Sequence, residues 1–74
     1  MLNIVFLASS QKHQISEPDI VHALTYFVRV EHQEEFTMII GPSRTGHMLE
    51  LGTSTNEETL VVFHAMPARR KFLK

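Results

Sequence analysis

One helix start constrains this chain more than any other feature. Ser16-Glu17-Pro18-Asp19 sets a hydroxyl N-cap before an acidic first turn, with proline where its missing N–H costs nothing. Ile15 before the cap and Ile20 after it have the spacing of a hydrophobic staple. Ile20, Ala23, Leu24 and Phe27 then recur at i, i+3, i+4 and i+7, which predicts a helix over about residues 17–27 with that face buried. His22 falls nearly opposite and is expected to face solvent.

After Phe27 the period changes from helical to two. Val28, Val30 and His32 alternate with Arg29, Glu31 and Gln33, a half-exposed strand that Gln33-Glu34-Glu35 turns back. Phe36 to Ile40 reads as a second strand. Gly41-Pro42-Ser43-Arg44-Thr45-Gly46 is a turn cluster, its glycines free to take positive φ. His47 to Thr53 is a third strand, with Leu49 and Leu51 on one face and Met48 and Glu50 on the other. Ser54 to Glu58 turns again, and Thr59 to Ala65 is a fourth strand. Connections this short favour an antiparallel meander. The expected fold is therefore α+β: about four antiparallel strands packed by one main helix, plus an apolar N-terminal segment.

That segment, Met1 to Ser10, carries five consecutive apolar residues from Ile4 to Ala8, which fit a buried strand or a turn of helix equally well. No positive region precedes the run and it is too short for a signal peptide or a membrane span, so a soluble, cytoplasmic chain is expected. The second and fourth strands are apolar on both faces, and one helix covers one face. The other face needs the N-terminal segment or a second protein chain. At 74 residues with no cysteine, there is one small core and neither a disulfide nor a thiolate metal site, so stability must come from packing.

Charge is unevenly spread. Arg69, Arg70, Lys71 and Lys74 hold four of the seven basic residues in a chain of net charge -1. Acidic residues gather instead at Glu31 to Glu35 and at Glu57 and Glu58. Near-neutrality argues against broad coating of nucleic acid, while the basic tail leaves room for a local anion site.

Several pieces together resemble a known family. They are Lys12-His13-Gln14-Ile15-Ser16 with Asp19-Ile20 and His22-Ala23-Leu24, then Ile39-Ile40-Gly41-Pro42-Ser43-Arg44 with Gly46. Met48-Leu49-Glu50-Leu51 follows, and His64-Ala65-Met66-Pro67-Ala68-Arg69 with Lys71-Phe72 closes the pattern. In order and spacing the chain is similar to BrnT-type toxins of the RelE/ParE-like superfamily of toxin–antitoxin ribonucleases. Gln14 stands where that family has glycine. The resemblance implies helices on an antiparallel sheet, mRNA cleavage, and neutralisation by an antitoxin lying across the sheet.

Metal-free RNA cleavage needs a base for the 2′-hydroxyl, an acid for the leaving oxygen and cations for the phosphorane charge. Histidine suits the first two roles and arginine's fork the third. His64, Arg69 and Arg44 are the catalytic candidates, and Arg70, Lys71, His47 and Lys12 the candidates for gripping RNA. The strand count puts the Gly41–Gly46 loop at the end of the sheet where the last strand finishes, so Arg44, His47, His64 and the basic tail are expected to share an edge. Simpler alternatives stand beside these: a strand-terminal His64 with an ordinary hydrogen bond, and a solvated tail that Pro67 releases from the sheet and Phe72 and Leu73 anchor back. His13 is more simply structural, since Glu17 and Asp19 already occupy the helix N-terminus. His22 and His32 read as surface residues. The five histidines lack metal-ligand spacing, and no cofactor fingerprint occurs, so neither a metal nor a cofactor is expected. Two other functions compete: a non-catalytic interaction module that self-associates through the sheet, and RNA binding without cleavage.

Overall fold

A computed structural model describes residues 3–73; Met1, Leu2 and Lys74 of the basic tail lie outside the described residues. The architecture is α+β, with one α-helix on a five-stranded mixed sheet. In chain order the elements are β1 (Asn3–Phe6), a 3₁₀ turn (Ala8–Gln11), α1 (Glu17–Thr25), β2 (Arg29–His32), β3 (Thr37–Pro42), β4 (Met48–Asn56), β5 (Thr59–Pro67) and a closing 3₁₀ turn (Arg70–Phe72). The strand order is β1-β5-β4-β3-β2. The four strands of the expected meander are present and antiparallel. A fifth is added, because the N-terminal apolar segment pairs in parallel with β5, Ile4 beside Leu60 and Phe6 beside Val62. The unpaired outer edge of a long apolar strand is the natural seat for such a run.

The helix starts as its capping residues dictate. Ser16 is the N-cap and its hydroxyl accepts the Asp19 N–H. Ile20 and Ala23 are fully buried against Leu49, Leu51, Val62 and Ala65, with Ile4, Phe6, Ile15, Leu24 and Ile39 around them. The helix stops at Thr25, two residues short of the expected end, and Phe27 is 53% exposed instead of packed in the core. Its i+7 spacing is correct, but the chain has already turned toward β2. His22 is half-buried: its Nδ1 lies 2.8 Å from the Pro42 carbonyl and its ring packs against Tyr26, so it does not face solvent as expected.

Gly41 lies in β3 and not in the turn that follows. A Cβ there would sit 2.2 Å from the Ala23 carbonyl oxygen, so the missing side chain lets α1 press directly on the sheet. Gly46, at φ 90, does take the left-handed turn position. Ser54 to Asn56, read as turn, continue β4 instead, and a two-residue connection at Glu57-Glu58 joins it to β5, with Glu57 left-handed at φ 57. β5 likewise runs on to Pro67.

The second face of the sheet is covered by the C-terminal turn. Phe72 is buried on Met38 and Ile40, with Phe36, Met48 and Ala68 around it. Of the N-terminal segment, expected to be one of the two possible covers, β1 lies at the sheet's edge with Ile4 and Phe6 packed on the helix side, and only Ser9 of the first 3₁₀ turn reaches the second face, beside Met38. Leu73 is 51% exposed, so Phe72 alone of the two apolar tail residues is the anchor. No helix among the described residues is long and apolar enough to cross a membrane.

Candidate functional site

A β-bulge builds the site. Between Gly52 and Thr53 the β4–β5 register slips by one: Thr53 pairs with Val62 but Gly52 pairs with His64. The extra residue, Phe63, breaks the strict alternation of β5 and lets Phe63 and His64 line the same cleft. Gly52 makes room for both, since a Cβ there would come within 2.9 Å of the His64 Cβ and of the Phe63 ring. The Ser9 hydroxyl donates to the Phe63 carbonyl and ties the first 3₁₀ turn to the bulge.

Beneath His64 lies Glu50, with no solvent exposure at all. Its Oε2 is 3.0 Å from His64 Nε2 and 2.8 Å from Arg69 Nη2; its Oε1 accepts from the Arg69 backbone N–H at 2.9 Å and from Nε at 3.0 Å. A buried carboxylate is tolerable when its acceptor sites are filled this way. Burial pushes the Glu50 carboxyl up, but the Arg69 side chain and backbone, His64 and the Arg69 charge together outweigh it and hold it below its ordinary value. Arg69 is raised in turn by the same carboxylate. An ionised carboxylate only accepts, so in the neutral imidazole of His64 the proton sits on Nε2 and Nδ1 keeps its lone pair.

The cleft above this pair measures about 460 Å³ and is lined by Ser9, Lys12, His13, Phe36, Met38, Phe63, His64 and Arg69. The His13 and His64 rings meet edge-on with centroids 6.2 Å apart, and Phe36 meets Phe63 edge-on at 5.6 Å. Two imidazoles, an ammonium and a guanidinium thus share one concavity with an aromatic pair. Phosphate oxygens suit the polar groups and a nucleobase suits the rings.

Of the residues predicted from sequence, His64, Arg69 and Lys12 come together here. Lys71 lies on the adjoining surface, beside Arg69 and Glu31, its ammonium 5.1 Å from the Phe72 ring centroid. Arg70 is exposed at the start of the closing turn. Arg44 and His47 do sit at the end of the sheet where β5 finishes, as Met48 and Leu49 pair near Pro42 and Pro67, but they belong to the helix-covered side. Arg44 donates from both its backbone N–H and Nε to Asp19 Oδ1 at 2.9 Å, clamping the β3–β4 turn to the first turn of α1. The Arg44 side chain, then its backbone N–H, pull the Asp19 carboxyl down to about 2. His47 lines a separate hollow with Ile15, Asp19 and Leu49. Sharing an end of a sheet is not sharing a face, and the expectation that these two join His64 is corrected accordingly.

Four contributors were not legible as site residues. Ser9, Phe36 and Phe63 carry no signal in the sequence. Glu50 carries one: it is the single charge within the apolar strand Met48-Leu49-Glu50-Leu51, a pattern that asks for a buried partner. His13, read as structural, lines the cleft. Compared with protein-family models, with curated proteins and with solved structures, the chain matches none.

Proposed function

We propose that this chain is a BrnT/RelE-like toxin domain that cleaves single-stranded RNA without a metal and is held inactive by a cognate antitoxin. The observation that carries the reading is the pairing of His64 with a buried Glu50 inside a cleft that also holds His13, Lys12 and Arg69. Gln14 adds support, because its φ of 60 is the left-handed conformation for which the resembled family's glycine at that position is suited.

In this mechanism Glu50 is a positioning residue that holds the His64 proton on Nε2. His64 Nδ1 then accepts the proton of a ribose 2′-hydroxyl. The 2′-oxygen bonds to the adjacent phosphorus, the bond from phosphorus to the 5′-oxygen breaks, and protonated His13 gives its proton to that leaving oxygen. The products are a 2′,3′-cyclic phosphate and a free 5′-hydroxyl. Lys12 and the guanidinium protons of Arg69 not given to Glu50 offset the charge that grows on the phosphorane. Phe36 and Phe63 offer a stacking surface for a base next to the scissile bond.

The test is incubation of purified protein with labelled single-stranded RNA in excess EDTA. Fragments ending in cyclic phosphate are expected, with His64→Ala slowing them on the order of 10²–10⁴-fold. Induced expression should arrest growth, and His64→Ala should relieve the arrest. RNA retardation without fragments would replace cleavage by binding alone. A folded wild-type protein that neither binds RNA nor arrests growth would end the proposal.

A further inference from the structure

The free edge of β2 points to a second copy of this chain. β2 is the outermost strand of the sheet on the side away from β1, and its outer edge pairs with no strand among the described residues. The β2–β3 hairpin is closed by a bond from the Gln33 N–H to the Phe36 carbonyl at 2.8 Å. With the register Arg29 to Ile40 and Glu31 to Met38, alternate residues form the bonded pairs. The main-chain groups of Arg29 and Glu31 are therefore turned toward β3, and those of Val30 and His32 outward. Edges of this kind are commonly blunted by short length, by charged side chains, lysine above all, or by proline; β2 is short and has no lysine or proline, and its two charges, Arg29 and Glu31, are of opposite sign. The chain leading into it is apolar and open: Tyr26 is 61% exposed, Phe27 53% and Val28 68%, with Val30 at 38%.

The sequence of this strand reads as its own complement. In an antiparallel pair of two β2 strands centred on Val30, the outward groups of Val30 bond to those of Val30 in the second copy. Arg29 then faces Glu31 of the second copy, and Glu31 faces its Arg29, across the non-bonded positions where side chains approach most closely. Arg29 Nε and Glu31 Oε2 already meet at 2.7 Å on one face of the strand, so the two charges stand on the side where exchange between copies requires them. A partner strand of different sequence would have to present base, apolar residue and acid in that order along its own chain, whereas a second copy does so by symmetry. We infer that this protein forms a two-fold dimer through β2, joining two five-stranded sheets into one of ten strands. The inference stands apart from the ribonuclease proposal, since the β2 edge contributes nothing to the His64 cleft beyond its neighbourhood.

Sedimentation velocity over a concentration series tests it. Wild-type protein is expected to show a monomer–dimer equilibrium. Arg29→Glu and Glu31→Arg, each checked for an unchanged fold by circular dichroism, place like charges across the two-fold and should each weaken self-association by roughly tenfold or more. Mixed one to one, the two variants become complementary and should form a heterodimer, and the double swap Arg29→Glu/Glu31→Arg should dimerise like wild type. Wild-type protein that stays monomeric, including one that captures only a strand of another protein, overturns the inference. So does a dimer that neither single variant weakens, or a mixture that fails to recover it.

Discussion

Arg69 gives both its backbone N–H and its guanidinium to Glu50, a carboxylate with no contact with solvent. That bond pattern pins the point at which the chain leaves β5, and it sets the direction in which the basic tail departs. The same carboxylate holds His64, so one buried charge organises both the fold's last turn and the cleft.

Glu50→Gln should therefore destabilise the protein at neutral pH by about 1–3 kcal/mol, toward the lower end because Arg69 is half exposed and water can replace part of what it loses. The pH dependence has a definite sign. The carboxyl is held below its ordinary 4.5 in the folded chain, so the unfolded chain binds its proton first as pH falls. The stabilisation is fully present above 4.5 and is lost as pH falls through the lowered folded value. Urea unfolding of both proteins should show a stability gap that narrows below that pH. Asp19 makes a similar acid-side contribution between 3.8 and about 2, but it is common to both proteins and cancels in the difference. A gap that stays constant into acid would refute the assignment.

Gly41→Ala should disturb the helix–sheet contact. The new methyl would be 2.2 Å from the Ala23 carbonyl oxygen, and backbone cannot swing aside as a side chain can. A loss of about 2–3 kcal/mol is expected from forced separation of α1 and β3. Thermal unfolding reads it directly. A fall in melting temperature no larger than that of an exposed Gly→Ala change would mean that the packing is looser than described.

Gln14→Gly should do the opposite. A side chain at φ 60 carries a left-handed penalty that glycine avoids, offset in part by the greater freedom of glycine in the unfolded chain. The net gain should be about 0.5–1 kcal/mol. Equal or lower stability of the variant in urea would show that Gln14 is held there by contacts worth more than the strain.

Phe72→Ala should expose the second face of the sheet. The ring covers Met38 and Ile40 and lies under the Arg69 guanidinium, 5.5 Å from its centroid. A cost of about 2–4 kcal/mol is expected, with increased binding of a hydrophobic dye as Met38, Ile40 and Met48 are uncovered. Unchanged stability and dye binding would mean that the tail is an optional cover.

How much of this was legible follows from the range of each interaction. Ser16, Pro18 and Ile15 announce the helix because capping and stapling act within one turn of chain. The alternation from Val28 to His32 and the Leu49–Leu51 face announce strands because side-chain direction has a period of two. Phe27 was misplaced because periodicity has no term for where a helix stops. The parallel pairing of β1 was beyond reach, since a short apolar run names a buried environment and not its neighbour. Phe63 was beyond reach for another reason: a bulge defeats alternation at the point where it joins His64 in lining the cleft.

Local chemistry in the chain thus determined the helix, the strands that follow it, the basic tail and the likeness of His64 and Arg69 to groups that handle phosphate. Tertiary structure alone decided that His13 and Lys12 join them and that Arg44 and His47 do not. It also gave Glu50 its place as the charge that holds the set. The physical reason is that these relations join residues far apart in the chain across a sheet, where a one-residue slip between β4 and β5 chooses which side chains meet.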